Sequence, residues 1–294
     1  MREIKCTNIT DNVSAIFNDK FSPFLLQDVE GIYTVDVNVF STDNSLTDGA
    51  TINGSLVRPR NIVMTLADRE KHGQHRNYLY SLFKPKTEGV FEYHEIDDDF
   101  EEKRMIEYVV EKVESDTMGN TRQIVISLFC ADPFFSDLSD TVVYMSSWIG
   151  QFEFVHEFLA EKEELGVRQN QKLVTIYNES SLDYIGITIT MEAEGNVTNP
   201  KMYHFESDSY IQIGSTLNPF NMVMGDKIII STLTNNKNAY LVRNGLRIVI
   251  NEYIEEGSEY IQLVHGENSL RFSASDGEDN LLVQFSYRNR HQGV

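Results

Sequence analysis

The sequence predicts a mostly β chain divided into two domains, and three observations carry that prediction. Tyr (14) and Phe (17) recur in short alternating runs between Gly, Asn and Asp turns, the composition and period of pleated, half-buried strands. One stretch alone has a convincing helical stripe with a stop signal. The length, 294 residues, exceeds the usual single-domain size, so two domains of roughly 130–160 residues are expected, each large enough to bury its own core.

Charge narrows the function classes. The net charge is −20, and residues 1–133 hold 14 Lys+Arg against 23 Asp+Glu while residues 134–294 hold 11 against 22. Neither half offers the basic stripe that releases phosphate counterions, so nucleic-acid binding is not expected. Met1 to Asn8 has no apolar h-region, and no run reaches the ~18 apolar residues of a membrane span. The chain is therefore expected to fold in a cytoplasm without a membrane partner, and Asn-x-Ser/Thr triplets such as those at Asn8, Asn53, Asn178 and Asn196 carry no glycosylation message. Cys6 and Cys130 sit in strand-like segments and read as buried free thiols. No repeat or low-complexity segment is visible.

In the first half, residues 13–18 and 24–26 are short apolar pieces around Pro23, too broken to assign. Ile32 to Phe40 alternates as a half-buried strand with Thr34, Asp36 and Asn38 on its wet face. Ser41 to Gly54 is almost free of apolar residues, and its candidate contact positions are Ser41, Asp43, Asn44, Asp48, Gly49 and Asn53. A loop this long is either functional or a disordered surface segment. Leu56 to Leu66, containing Arg58-Pro59-Arg60, follows as an extended strand. The helix is expected over 69–83, where Tyr78, Leu79, Leu82 and Phe83 form one stripe and Lys84-Pro85 ends it. His72 and His75 have i, i+3 spacing, but no third ligand accompanies them, so a solvated helix face is expected and no metal.

Val90 to Glu95 alternates as a strand, with His94 a lone histidine in it. Then Glu95, Asp97, Asp98, Asp99, Glu101 and Glu102 crowd eight positions. A catalytic carboxylate pair needs one acid dry enough to stay protonated; nothing in this stretch is dry, so it reads as a solvated acidic loop. Met105 to Val113 fits helix or strand, and its neighbours favour strand. It feeds a strand at 122–129 through a turn at Met118-Gly119-Asn120. Pro133 then stops the buried run Gln123 to Phe129, since it cannot donate to a ladder, and holds Asp132 extended. This exit reads as a strand-to-turn transition or as a domain junction, with 1–133 and 134–294 on either side.

In the second half, Val142 to Tyr144 and Trp148 lead to a strand over 151–158 with Phe152, Phe154 and Phe158 on one face. From 172, strands recur at short, regular spacing: 173–177, 185–191, 202–205, 210–213, 227–231, 239–242, 246–250, 260–264, 270–273 and 281–285. That cadence is an antiparallel sandwich. Asn244-Gly245 is the clearest hairpin turn, because both central residues of a type I′ turn take positive φ. Asn199-Pro200 and Gly225-Asp226 mark two further turns.

Several of these pieces resemble the siphophage distal tail protein (Dit) family. They are Arg58-Pro59-Arg60-x-Ile62, Arg76-x-x-Leu79-x-x-x-Phe83-x-Pro85, and the strand ending Cys130-x-Asp132-Pro133-Phe134-Phe135. In the second half Asn178, Ala193-Glu194-Gly195-x-Val197-x-Asn199-Pro200, Gly225-Asp226-Lys227, Gly266-x-Asn268-x-Leu270 and Tyr287-Arg288-x-Arg290-x-x-Gly293 follow in the family's order. Each piece alone is a common turn; together they cover nearly the whole chain. The resemblance implies an N-terminal β-rich ring-forming domain with one helix and a C-terminal galectin-like β-sandwich. It implies a structural hub at the tail tip, a hexameric homo-oligomer joined to a tail-tube protein, a tail-associated fibre or lysin and a receptor-binding protein. DNA would pass without specific binding. It further implies that the 41–54 stretch is an arm reaching the neighbouring subunit and that the acidic residues 95–102 face the channel. The carbohydrate-binding insertion of enlarged relatives has no counterpart here.

No Gly-x-Gly-x-x-Gly, P-loop, His-Glu-x-x-His, Cys-x-x-Cys pair or Gly-x-Ser-x-Gly elbow occurs, and no cofactor or enzymatic activity is expected. The alternative function is a carbohydrate-binding module for host-surface glycans, which the sandwich and aromatics such as Trp148 would serve. Its mark would be a concave face holding Trp or Tyr beside polar side chains.

Overall fold

The computed structural model describes residues 2–17, 22–44, 47–68, 72–97, 100–115, 123–150 and 166–294. The chain forms two compact units, Met1–Leu138 with Arg290–Val294, and Ser139–Asn289. Measured against a division at Pro133, Phe134 to Leu138 and the last five residues both fall with the first unit. Strand pairing draws them there, as described below.

The first unit contains β1 (Arg2–Asn8), β2 (Val13–Phe17), β3 (Phe24–Glu30), β4 (Val37–Asp43), β5 (Ala50–Val57), β6 (Arg60–Asp68), α1 (His72–Leu82), β7 (Glu88–Asp97), β8 (Phe100–Ser115), β9 (Gln123–Cys130) and β10 (Phe135–Ser136). Its main sheet runs β2-β1-β7-β8-β9-β6-β3, antiparallel throughout. Alternation places Ile4, Cys6, Ile62, Met64, Leu66, Phe91, Ile106, Ile124, Ile126 and Leu128 on one buried face, each contributing roughly 1.5–3 kcal/mol over exposure. The short pieces at 13–17 and 24–30 are thus the two edge strands of this path. The sheet curls until those edges meet, with the Phe17 and Phe24 rings 6.0 Å apart.

Helix α1 covers that meeting. Leu79, Leu82 and Phe83 are buried, and Phe83 stacks on Phe17 at 6.2 Å. Tyr78, expected in the apolar stripe, is instead 40% exposed and donates its hydroxyl to the Ser14 carbonyl on β2. The reason is angular: Tyr78 lies at the margin of the stripe, where a ring with a polar tip reaches water.

Two extended readings of the sequence are corrected. The run Ile32 to Phe40 is broken, because Gly31 takes φ +83° and turns the chain, so that β4 starts only at Val37. The run Leu56 to Leu66 is two strands split at Arg58-Pro59: β5 pairs with β4 in a separate ribbon, and β6 enters the main sheet. Pro59 has no N–H to continue a ladder. Met105 to Val113 lies within the long strand β8. The expected turn at 118–120 and the expected strand at 151–158 lie outside the described residues.

The second unit contains β11 (Thr141–Tyr144), β12 (Ser146–Gly150), β13 (Gly166–Asn170), β14 (Leu173–Asn178), β15 (Tyr184–Ala193), β16 (Val197–Thr198), β17 (Lys201–His204), β18 (Ser209–Gln212), β19 (Asn221–Met222), β20 (Lys227–Leu233), β21 (Asn236–Arg243), β22 (Leu246–Val249), β23 (Gln262–Val264), β24 (Gly266–Ser273) and β25 (Leu281–Tyr287). One sheet runs β11-β25-β15-β20-β21-β22, with β23 also on β15; the other runs β14-β24-β17-β18. Ile187, Ile189, Ile228, Ile230, Val283 and Phe285 of the first meet Met202, Ile211, Leu270 and Phe272 of the second in a single core, the packing of a sandwich. At the β21–β22 turn Asn244 and Gly245 have φ of 52° and 77°, as a type I′ hairpin demands. Finally β26 (Arg290–His291) returns to the first unit and pairs with β10, which also touches β8 at Met105.

Candidate assembly site

The ribbon β4–β5 stands out physically. It forms a two-stranded sheet of its own, and every residue of β5 is exposed. Cross-strand pairing puts Val37 opposite Val57 and Val39 opposite Ser55 on one face, and Asn38 opposite Leu56 and Phe40 opposite Gly54 on the other. Val39, Phe40 and Leu56 are 56%, 50% and 66% exposed, so both faces present apolar side chains to water. An isolated two-stranded ribbon is at best marginal in water, and such a patch marks an interaction surface.

The polar stretch 41–54, read as a loop, is therefore largely strand. Ser41 and Asp43 belong to β4, and Asn53 sits in β5 at the register shift after Phe40. Alternation of polar Ser and Thr disguised the pairing. The tip is closed locally: Asn44 N–H donates to the Gly49 carbonyl, Thr51 donates to the Asn44 side chain at 3.0 Å, and Asn53 donates to the Thr42 hydroxyl at 2.6 Å. Gly49 takes φ +96°, a turn value that favours glycine. Asp48 is exposed beside it. At the base, Arg58 N–H donates to the Asp36 carbonyl at 2.8 Å.

The acidic segment is likewise a hairpin end, with Glu95 opposite Glu102, Ile96 opposite Glu101 and Asp97 opposite Phe100. Asp98 and Asp99 lie outside the described residues. Three of the carboxylates have cations: Glu95 accepts from Arg2 at 2.8 Å, Glu101 meets Lys103 at 2.5 Å, and Glu102 meets Arg104 at 3.2 Å. The Tyr93 hydroxyl and then Arg2 hold the Glu95 carboxyl below the usual range, and Lys103 does the same for Glu101. Arg2 across the β1–β7 pairing, and Lys103 and Arg104 two residues along β8, thus neutralise part of this charge run.

Behind the ribbon's base sits Arg60, 5% exposed. Its Nε donates to the Pro133 carbonyl at 2.7 Å and one terminal nitrogen to the Gly31 carbonyl at 2.8 Å, while the other donates to the Gln292 carbonyl. The guanidinium lies 4.8 Å from the Phe135 ring centroid. Asp132 pairs with Arg290, and Gly293 packs where a Cβ would fall 2.4 Å from the Tyr33 carbonyl oxygen. Cys130-x-Asp132-Pro133-Phe134-Phe135 is therefore a clasp within the first unit that holds the returning tail. Arg60, the residue that ties it, was not singled out from the sequence beyond its motif.

The other motif residues prove to be buried polar pins. Asn178 Nδ2 donates to the Val264 carbonyl and its Oδ1 accepts from Ser180 N–H. Asn199 accepts from Phe220 N–H at 2.8 Å. Asp226, 2% exposed, accepts from Nε and one terminal nitrogen of Arg243 and from the Val223 N–H, and its carboxyl is held below the usual range by Arg243 first. Asn268 bridges Val264, Gly266 and His204. The asparagines, each both donor and acceptor, and the acceptor-only Asp226 fit such turns because each buried backbone group needs a partner.

Among the described residues no group of three His, Cys, Asp or Glu is placed to hold a metal. His75 is engaged by Asp68 at 2.9 Å, and His94 lies 3.4 Å from Glu92. Cys6 and Cys130 are buried and free; burial raises both thiols, Cys130 to about 12.

Residues 184–291 match the family model described as Siphovirus-type tail component, C-terminal domain. No curated protein matches the chain. Among solved structures, the crystal structure of the SPP1 Dit protein, described as a paradigm of the hub adsorption apparatus in phages infecting Gram-positive bacteria, aligns with a TM-score of 0.61 at 11% identity, covering 91% of this chain and 93% of that one. Chains of the phage P2 baseplate in its activated conformation, with Ca and with Sr, align at a TM-score of 0.52 and 8% identity over 100% of both chains. At these identities the likeness is one of fold. Residues 184–291 thus match a siphovirus-type tail-component domain, on a chain whose fold is shared nearly end to end with the SPP1 Dit protein.

Proposed function

We propose that the chain is the structural hub of a long-tailed phage's tail tip. In this reading first units close into a ring, hexameric as the family resemblance implies, each laying its β4–β5 ribbon on the neighbouring copy. Second units hold baseplate or receptor-binding parts, and the ring joins the tail tube to the fibre or lysin. The carrying observation is the ribbon with apolar side chains on both faces and no strand partner beyond its own hairpin among the described residues. Head-to-tail contacts that rotate back on themselves give closed rings, and long arms suit them. The description of the SPP1 protein as a hub supports the same role. A net charge of −20 suits a channel through which DNA slides without sticking, and the carboxylates of the β7–β8 hairpin are candidates for its wall.

The test is the mass of the full-length protein, alone and bound to its tail-tube partner. A particle of six copies on the tube is expected, and loss of that particle when residues 38–56 are replaced by a short glycine-serine linker. A monomer or dimer that persists on the tube would overturn the reading.

A further inference from the structure

We infer that the open edge of β22 in the second unit receives an extended, basic segment of another tail protein as an added strand. β22 ends the path of the larger sheet and pairs with β21 alone among the described residues. All four of its residues are exposed. The register fixes which backbone groups face outward. Asn244-Gly245 closes a two-residue hairpin, so Arg243 with Leu246 and then Leu241 with Ile248 are the hydrogen-bonded pairs. Ile250 continues the series by donating its N–H to the Ala239 carbonyl. Antiparallel ladders alternate, so the N–H and C=O of Arg247 and Val249 point away from β21, toward the open edge.

A bare edge is not the rule in this unit. At the end of the smaller sheet β18 is covered by returning chain, where the Glu255 and Glu259 N–H groups donate to the Gln212 and Tyr210 carbonyls. β22 reads Leu246-Arg247-Ile248-Val249, without the proline, lysine or acid that blunts an edge, and its shortness limits the recruit to a short strand. Side chains add a shelf to the open backbone. Leu246 lies opposite Arg243 and Ile248 opposite Leu241, on the core side of the sheet. Along that side exposure climbs from 2% at Ile250 to 47% at Ile248 and 68% at Leu246, because the four-stranded sheet is narrower than the one it covers. A strand laid on the edge would pair with Arg247 and Val249 and set its own apolar side chains along Leu246 and Ile248, which is recognition by strand addition.

Charge selects the occupant. Arg243 is engaged by Asp226, and the Arg247 guanidinium lies 3.7 Å from the Tyr240 ring centroid. Glu252 and Glu256, just past the strand, are exposed. A second copy would bring the same acids to its own edge on a chain of −20, and like charges are costly across an interface. A strand flanked by Lys or Arg is complementary. The partner's origin rests on the hub reading, in which second units hold baseplate or receptor-binding parts; the open edge itself does not.

The test has two arms. In the first, the full-length protein is titrated with a synthetic peptide of about eight residues alternating valine and lysine, and with its glutamate-for-lysine counterpart. The lysine peptide should bind and protect the Arg247 and Val249 amides from hydrogen exchange, and the glutamate peptide should bind at least about tenfold more weakly. Val249→Pro, which removes an outward donor and no bond to β21, should abolish binding. Leu246→Ser should weaken it about tenfold with an unchanged melting curve, because the side chain is exposed. N-methylating the peptide backbone should abolish binding with no change to the protein. In the second arm, benzoylphenylalanine in place of Ile248 is illuminated in assembled tails and should join β22 to a Lys- or Arg-bearing segment of a different protein. No peptide bound, protection confined to other strands, equal affinity for the acidic peptide, binding indifferent to Val249→Pro, or Ile248 joined to another copy of this chain would each overturn the inference. The six-copy particle on the tail tube is scored separately. A silent edge beside an intact particle sinks this inference alone, and peptide binding without any such particle sinks the hub reading and leaves the edge a strand acceptor.

Discussion

Arg60 Nε donates to the carbonyl oxygen of Pro133 across 2.7 Å, a buried cation answered by backbone oxygens of three separate segments. Burial lowers its pKa from the usual arginine value, and the carbonyl dipoles together with the Phe135 ring offset that cost. The planar fork is what allows one side chain to serve three directions.

Arg60→Ala should therefore cost the first unit at least about 3 kcal/mol, since hydrogen bonds to a charged group are worth about 1.5–3 kcal/mol each and the carbonyls left behind lose their partner. Arg60→Lys should recover less than half. Hydrogen exchange is the readout: amides of β6 and β9 should lose protection while those of β20 and β25 keep theirs. Equal loss in both units, or none, would contradict the clasp.

Phe40→Asp with Leu56→Asp should leave the melting temperature of the isolated chain unchanged, because exposed substitutions stay within about 0.5 kcal/mol. The same pair should abolish assembly on the tail tube. Calorimetry and particle counting by electron microscopy separate the two effects, and assembly at parental levels would speak against the ribbon as the contact.

His204 is fully buried, with Ser207 at 2.6 Å on Nδ1 and Asn268 at 3.0 Å on Nε2, and Glu206 nearby at 3.2 Å. Burial is the leading cause that lowers its pKa, opposed by Asn268 and Glu206. The unfolded chain takes the proton near pH 6.5 and the folded one resists it. Stability is thus complete above that value, falls as pH drops from about 6.5 through the folded pKa, and levels below it. Urea titrations over about pH 5–7 should show this slope in the parent and a flatter one in His204→Gln. A parent curve flat across the window would refute it.

Cys6 and Cys130 should be silent to thiol reagents in the native protein and both react in denaturant, since only the thiolate attacks and burial suppresses it. Rapid native labelling of either would place it nearer the surface than the core described here.

The sandwich was legible because its strands alternate cleanly: β15 and β25 switch burial at nearly every residue, and Asn244-Gly245 fixes a register on its own. The ribbon was not legible. Its residues 41–43 and 50–55 are mostly Ser, Thr, Asn, Asp and Gly, a turn composition, and hydrogen bonding between strands leaves no mark on such a run. Val37, Val39 and Phe40 misled in the opposite sense, since alternation that usually signals a core face here signals a face left open. The acidic cluster overstated its charge for a related reason: Arg2 is 93 positions from Glu95 in sequence, and only the β1–β7 pairing brings them together. Arg60 lay within a recognised motif, yet its partners Gly31, Pro133 and Gln292 are too distant along the chain for spacing to reveal its task.

Phe40 replaced by a photo-crosslinking benzoylphenylalanine, illuminated in assembled tails, tests the ring most directly. A ladder of covalent multimers of this chain ending at six is the predicted result. Tails that assemble normally yet give no covalent multimer, or Phe40 captured only by a different protein, would contradict it.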